Sequence, residues 1–397
     1  MRSAAGFSVA GCGAFTIHGD AQPWHPYRPS VSRVLHLWQR VLTDMNIAYF
    51  FGFDVFPGWP LSASEHPAYV LASHRLRSVI PASQLLAAGH IVSVVSSPKD
   101  WELNSLDEKR VPDRLILTKL SHPSTEVFEG LMAAAFSQVE AARRHGAKIL
   151  MDYSDDLLGS DDHRSFRTLQ LLRQVDRIVC ASSELAKRVR LCLDDSADVL
   201  VIPDPVEGER VEPLVRLSPP TQVLRVLWFG HVSNLDSLLG ALKTIAAKGL
   251  SILIELEILT SVNPEQLFHF QLMLLGFSLP FPVRFSEWRG PMSLTEALQR
   301  SDVSFLPIDL AGPKAAASNN RLVHSFWGGC YVVASPIQSY LDFVDLAWLD
   351  DDLTAGLVWV SEHPRTAAAK VLNAQERIAR HFSPEAIGEA WQAALVR

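Results

Sequence analysis

The chain has 397 residues, 48% of them hydrophobic and 20% charged, with a net charge of −7. That length supports two domains with large apolar cores, and the acidic balance argues against broad nucleic-acid binding, which needs a basic surface. Cys12, Cys180, Cys192 and Cys330 show neither a CxxC pair nor a metal-ligand rhythm, so free thiols in a reducing compartment are expected, with no metal site.

Residues 1–66 read as an N-terminal extension of uncertain structure. Val9-Ala10-Gly11-Cys12 resembles a lipoprotein cleavage box, but the apolar segment before it is short and preceded by only Arg2, which reads against secretion. Pro23, Trp24, Pro26, Tyr27 and Pro29 form an aromatic arm, Val31 to Thr43 fits a helix, and Ile47 to Val55 fits a strand. No apolar run approaches the roughly 18 residues of a membrane span. A cytoplasmic protein able to touch a membrane surface is expected.

From residue 67 strands and helices alternate, which means a parallel sheet with crossovers. Strands are expected at Tyr69 to Ala72, Ile91 to Ser96, Leu115 to Thr118, Ala147 to Met151, Asp176 to Ala181 and Val199 to Ile202. Helices fall between them at Arg77 to Ala88, Thr125 to His145, Ser165 to Gln174 and Ser183 to Leu193. A first domain over 67–205 ends in a proline-rich linker, 206–222. A second, 223–397, repeats the alternation. Its strands are Leu224 to Phe229, Ser251 to Leu259, Pro282 to Phe285, Asp302 to Pro307, Tyr331 to Ala334 and Val358 to Val360. Its helices include Leu235 to Ala247, Pro264 to Leu275, Ser293 to Gln299 and, at the end, Thr366 to His381 and Pro384 to Val396, the last able to pack back on the first domain.

The stretch Ser301 to Ser335 carries the strongest chemical signal. A buried strand ends at Pro307, a loop with Gly312 and Pro313 follows, and Ser318 or Asn319 can cap a helix with Leu322, Val323, Phe326 and Trp327 on one face. A helix start holding Asn319, Asn320 and Arg321 suits an anion, because free N–H groups, the helix dipole and a planar guanidinium converge there. The plainer alternative is a capped helix with a solvated arginine.

SNNR, a helix ending in glycine and then VVAS resembles the nucleotide-sugar loop of GT-B glycosyltransferases of the family-4-like kind. Further similar pieces occur in order: Ala72 to Arg77 before a helix and Gly89-His90, Met151 to Asp156, Ile178 to Leu185, Val201 to Val206, and Trp228-Phe229-Gly230-His231 with Asn234. The resemblance implies two Rossmann-like doubly wound parallel-sheet domains facing a cleft, an α/β GT-B architecture with an N-terminal extension. It also implies metal-independent transfer, with retention of configuration, from a nucleotide-sugar of UDP or GDP type. The acceptor is a glycan, a lipid-linked molecule or a small molecule, and no separate cofactor is implied.

On these residues the donor would meet Gly230, His231, Asn234, Lys314, Ser318, Asn319, Asn320 and Arg321. The ribose-binding glutamate of the family falls on His324, and its sugar-contacting acid falls near Ala316. Those departures keep open a non-catalytic nucleotide- or glycan-binding protein, and an epimerase of the same fold. Asp152, Asp156 and His231 are the catalytic candidates, since a carboxylate past a strand end can orient or deprotonate a hydroxyl. Asp155 or Asp156 could equally cap the next helix. Arg75, Arg77 and Lys119 are candidates on the acceptor side, with surface salt bridging as their alternative.

Overall fold

The computed structural model describes residues 45–51, 72–94, 112–118, 120, 122, 124–159, 162–194, 196–213, 223–261, 267, 270–271, 273–274, 276–277 and 279–396. The expected arm and helix of residues 1–43, the strand at 69–71, most of the helix at 264–275, and Lys119 lie outside them.

The first half is a six-stranded parallel sheet, β1 (Asn46–Phe51), β2 (Ile91–Val94), β3 (Arg114–Thr118), β4 (Lys148–Tyr153), β5 (Arg177–Cys180) and β6 (Val199–Val201), in the order β2-β1-β3-β4-β5-β6. β1 pairs with both β2 and β3, in register Tyr49 to Val94 and Tyr49 to Ile116. A segment that reads as part of the N-terminal extension therefore supplies an inner strand. Ala72 is helical rather than the end of a strand. A continuous helix, α1, runs through Ala72–His74, a π-helical segment Arg75–Val79 and then Ile80–Ala87. The remaining helices of this half are α2 (Thr125–Arg144), α3 (His163–Leu172) and α4 (Ser183–Cys192). Ser124, Asp162 and Ser182 cap them, each side-chain oxygen accepting an N–H of the first turn.

The second half has β7 (Leu224–Phe229), β8 (Ile254–Thr260), β9 (Val283–Glu287), β10 (Val303–Leu306), β11 (Tyr331–Ala334) and β12 (Trp348–Leu349). Their order is β12-β11-β10-β7-β8-β9, all parallel. The helices are α5 (Leu235–Lys248), α6 (Pro291–Gln299), α7 (Asn320–Trp327), α8 (Leu353–Glu362), α9 (Pro364–His381) and α10 (Pro384–Val396). The strand expected at Val358 to Val360 is the middle of α8. Asp352 starts that helix by accepting the Ala355 N–H at 3.1 Å, and Leu353, Leu357 and Val360 bury one side.

The described part of the linker, 206–213, is strapped to the second half. Val206 N–H donates to Phe382 O at 2.7 Å, Val211 N–H to Trp327 O at 2.9 Å, and Trp327 Nε1 to Gly208 O at 3.0 Å. Gly329 ends α7 at φ 84°, and a Cβ there would sit 2.9 Å from the Glu212 carbonyl, so both its conformation and its closeness require glycine. Helix α10 returns to the first half, where Ile387, Trp391, Ala394 and Leu395 share a core with Ile47, Tyr49, Leu85 and Ile116. Among the described residues no helix is long and apolar enough to cross a membrane, and no cluster of three metal-ligand side chains occurs.

Candidate functional site: an anion notch at the strand crossover

In the second sheet β7 and β10 lie side by side, while the chain leaves β7 toward β8 on one flank and β10 toward β11 on the other. Loops diverging in this way open a crevice at the carboxyl ends of the strands, the usual ligand position in doubly wound sheets. Gly230 is the first residue past β7, and α7 opens at Asn320, past β10. A Cβ on Gly230 would lie 3.3 Å from the Trp228 ring and 3.4 Å from Arg321 Nη1. The guanidinium thus lies against bare backbone.

Arg321 Nη1 and Asn319 Oδ1 are buried and have no hydrogen-bond partner among the described residues. Such a group costs about 1–3 kcal/mol while unfilled; an anion would satisfy the Arg321 donor, whereas Asn319 Oδ1, an acceptor, calls for a hydroxyl or N–H. Asn319 sits at the cap position of α7 yet makes no side-chain cap bond, which leaves the first N–H groups of the helix open to an anion. Tyr340 is hydrogen-bonded to Arg321. Burial pushes its phenol up, and the charge and hydrogen bond of Arg321 pull it partly back.

The rest of the loop is tied down. Ser318 Oγ donates to Asp204 Oδ2 at 2.5 Å, and Lys314 Nζ reaches Asp155 Oδ1 at 3.5 Å. His324, one turn beyond Arg321, bonds Asn320 O through Nδ1 at 2.7 Å and accepts the Glu207 N–H through Nε2 at 3.3 Å. That pattern sets the Nδ1–H tautomer. Asn234 stands at the start of α5 without a side-chain cap bond. His231 is exposed, with Nδ1 accepting the Ser233 N–H at 3.2 Å and bonding Ser233 Oγ at 2.8 Å.

The carboxylates and arginines of the first half lie mostly within the structure. β4 runs to Tyr153, so Asp152 is a strand residue rather than part of a turn. Its carboxylate takes Arg77 Nε at 3.0 and 3.2 Å, and Arg77 also donates to Ile202 O at 2.7 Å and Asp204 Oδ1 at 3.3 Å. Arg77 is 2% exposed and Asp152 1%, side chains only; charges so deep require each other. Asp156 accepts from Arg188 Nη1 at 2.5 Å and from Leu158 N–H at 3.2 Å. Arg75 forks onto Glu207 at 2.8 and 2.6 Å, with its guanidinium 6.0 Å from the Trp288 ring centre. Burial alone would raise the Glu207 carboxyl, but the Arg75 fork holds it below the ordinary carboxylate range.

The structure thus gathers Gly230, Asn319, Asn320 and Arg321 in one notch, with Ser318 and His324 flanking it. Asp152, Asp156, Arg75 and Arg77 are engaged in ion pairs. Sequence reading missed Glu207, Asp204 and Tyr340. Glu207 sits in the proline-rich segment that reads as linker, and Asp204 lies between two prolines just before it. Tyr340 lies in a short 3-10 turn, Gln338–Phe343, with no periodicity to mark it.

No family model matches the chain, and no curated protein matches it in sequence. Its architecture does match solved structures. It is similar to Anabaena HepE in complex with UDP and glucose, at TM-score 0.57 and 12% identity over 89% of this chain and 99% of that one. It is similar to an alpha-glucosyltransferase in complex with UDP, at TM-score 0.56 and 11% identity over 89% and 100%. It is also similar to the lipopolysaccharide outer core galactosyltransferase WaaB, at TM-score 0.51 and 11% identity over 89% and 99%. Two parallel sheets, the β7/β10 crossover and the returning last helix give this chain the fold of the GT-B glycosyltransferases.

Proposed function

We propose that this chain is a glycosyltransferase that takes a sugar from a nucleoside diphosphate sugar of UDP or GDP type. One observation carries the reading: among the described residues Arg321 Nη1 is buried without a hydrogen-bond partner, at 3.4 Å from where a side chain on Gly230 would begin. A diphosphate there gains a charged hydrogen bond, the α7 amides and close backbone. Those groups also stabilise the charge that grows on the diphosphate as the sugar departs. HepE and the alpha-glucosyltransferase, which share the fold, were solved with UDP.

In this reading Ser318, Asn319, Asn320 and Arg321 hold the phosphates. His231 and Asn234 contact the sugar or diphosphate, and Lys314 stands at the loop edge. His324, carrying its proton on Nδ1, orders the nucleoside side through Glu207. The first half holds the acceptor, a glycan, a lipid-linked molecule or a small molecule, in the cytoplasm or at a membrane surface. Asp152 and Asp156, with Arg77 and Arg188, shape the acceptor wall. The reaction proceeds with retention and without a metal, both features resting on the family resemblance.

Calorimetry against UDP and GDP tests donor binding, and release of nucleoside diphosphate from UDP- and GDP-sugars in chelator tests turnover. Absence of binding by either nucleotide overturns the reading. Binding without turnover would select a non-catalytic nucleotide-binding protein, which the placement of Ala316 in the core of the first half favours, since no acid stands there to meet the sugar.

A further inference from the structure

Ala316 belongs to the second half by sequence, in the loop between β10 and α7, yet it is 2% exposed and packs with the core of the first half. Ser182, at the start of α4, explains how it is held. The Ser182 hydroxyl donates to the Ala316 carbonyl at 2.7 Å and accepts the Leu185 N–H at 3.1 Å. One side chain therefore caps a helix of the first half and anchors the loop of the second. A short 3-10 turn, Pro313–Ala316, follows Gly312, and the Ala315 and Ala317 amides bond Gly312 O and Lys314 O at 3.1 Å each. Beyond the anchor come Ser318, fixed on Asp204, then Asn319 and Arg321 with their unfilled atoms.

We infer that Ser182 is a positioning residue for the anion notch, supplied by the opposite half of the molecule. It touches no phosphate. It fixes the carbonyl three residues before Asn319, and that sets where the Asn319 amide and the Arg321 guanidinium point. The inference rests on the donor reading for its effect on nucleotide affinity, but the anchor itself does not. Because the loop is held by the first half, binding of diphosphate and the seating of the two halves are coupled, and by linkage each strengthens the other.

The test compares Ser182→Gly with Ser182→Thr. Glycine keeps most of the cap preference, costing the helix only slightly, and removes the anchor; threonine keeps both bonds. Amide hydrogen exchange is followed in the unliganded protein, and UDP affinity by calorimetry. Ser182→Gly is expected to speed exchange at Ala315 and Ala317 by up to about tenfold, the worth of one buried hydrogen bond, with β10 and the end of α4 unchanged. UDP affinity is expected to fall by a similar factor, and Ser182→Thr to restore both. Unchanged exchange in Ser182→Gly overturns the anchor. Faster exchange with unchanged affinity overturns the positioning role. If the wild-type protein binds neither UDP nor GDP, the donor reading falls, and the anchor is still decided by exchange.

Discussion

Replacing Arg321 by alanine separates a ligand site from a structural arginine. In the free protein Nη1 has no hydrogen-bond partner among the described residues, so its removal loses no internal hydrogen bond, while the substitution does remove the bond of the guanidinium to Tyr340. An unfilled buried donor is itself unfavourable by about 1–3 kcal/mol, which offsets that loss. The thermal midpoint is therefore expected to stay level or rise. Binding should respond quite differently. A hydrogen bond to a charged group is worth roughly 1.5–3 kcal/mol, which corresponds to an affinity loss of about 10- to 150-fold for UDP or GDP. Arg321→Lys should recover part of it, because lysine keeps the charge but lacks the planar fork. Calorimetry on the three proteins, with melting curves alongside, reads both quantities. Equal nucleotide affinity in wild type and Arg321→Ala, or a large drop in melting temperature, would refute the reasoning.

Gly230→Ala should lower nucleotide affinity with little change in fold, since the new methyl meets the Trp228 ring at 3.3 Å and Arg321 Nη1 at 3.4 Å; unaltered affinity would show that the notch lies elsewhere. Arg77→Ala takes its paired guanidinium away from the buried Asp152 carboxylate, so a stability loss of about 3–5 kcal/mol is expected, checked by urea denaturation followed in the first half. Glu257 accepts from Arg284 at 2.6 Å, Ser286 at 2.6 Å and Arg300 at 2.9 Å. Burial would raise its carboxyl, but these bonds hold it down, from its ordinary 4.5 to about 2. A carboxyl lowered in the folded state contributes stability above 4.5, and that contribution disappears as pH falls toward 2. Glu257→Gln should therefore flatten the loss of stability over that window, as read from melting temperatures at successive pH values.

The alternation of strands and helices was legible because buried parallel strands are short apolar runs set between amphipathic helices. Around the notch the agreement is close: Asp302 to Pro307 contains β10, and Tyr331 to Ala334 is β11. Leu357-Val358-Trp359-Val360 misleads because a short apolar run lacks a period, and only the Asp352 cap and the packing of Leu353 decide for helix. The apolar run from Ile47 marked a strand, and Asn46–Phe51 is one, but its inner place with partners on both sides is something no local pattern reveals. The charges were visible, but their depth was not. Arg77 and Asp152 read as cleft groups until tertiary packing brings residues 75 positions apart into one buried pair. Glu207 illustrates the converse, a residue of a supposed spacer that meets Arg75 across 132 positions.

The return of α10 means that the first lobe is not encoded by an unbroken stretch of chain. A fragment stopping at residue 213 would leave Tyr49, Leu85 and Ile116 without the indole of Trp391 and the side chain of Ile387 that cover them. Expressed alone it should be sticky and poorly soluble, while the same fragment supplied with residues 384–396 in trans should recover. The molecule is thus stitched twice between its lobes, once by the strap at 206–213 and once by the passage from α9 into α10.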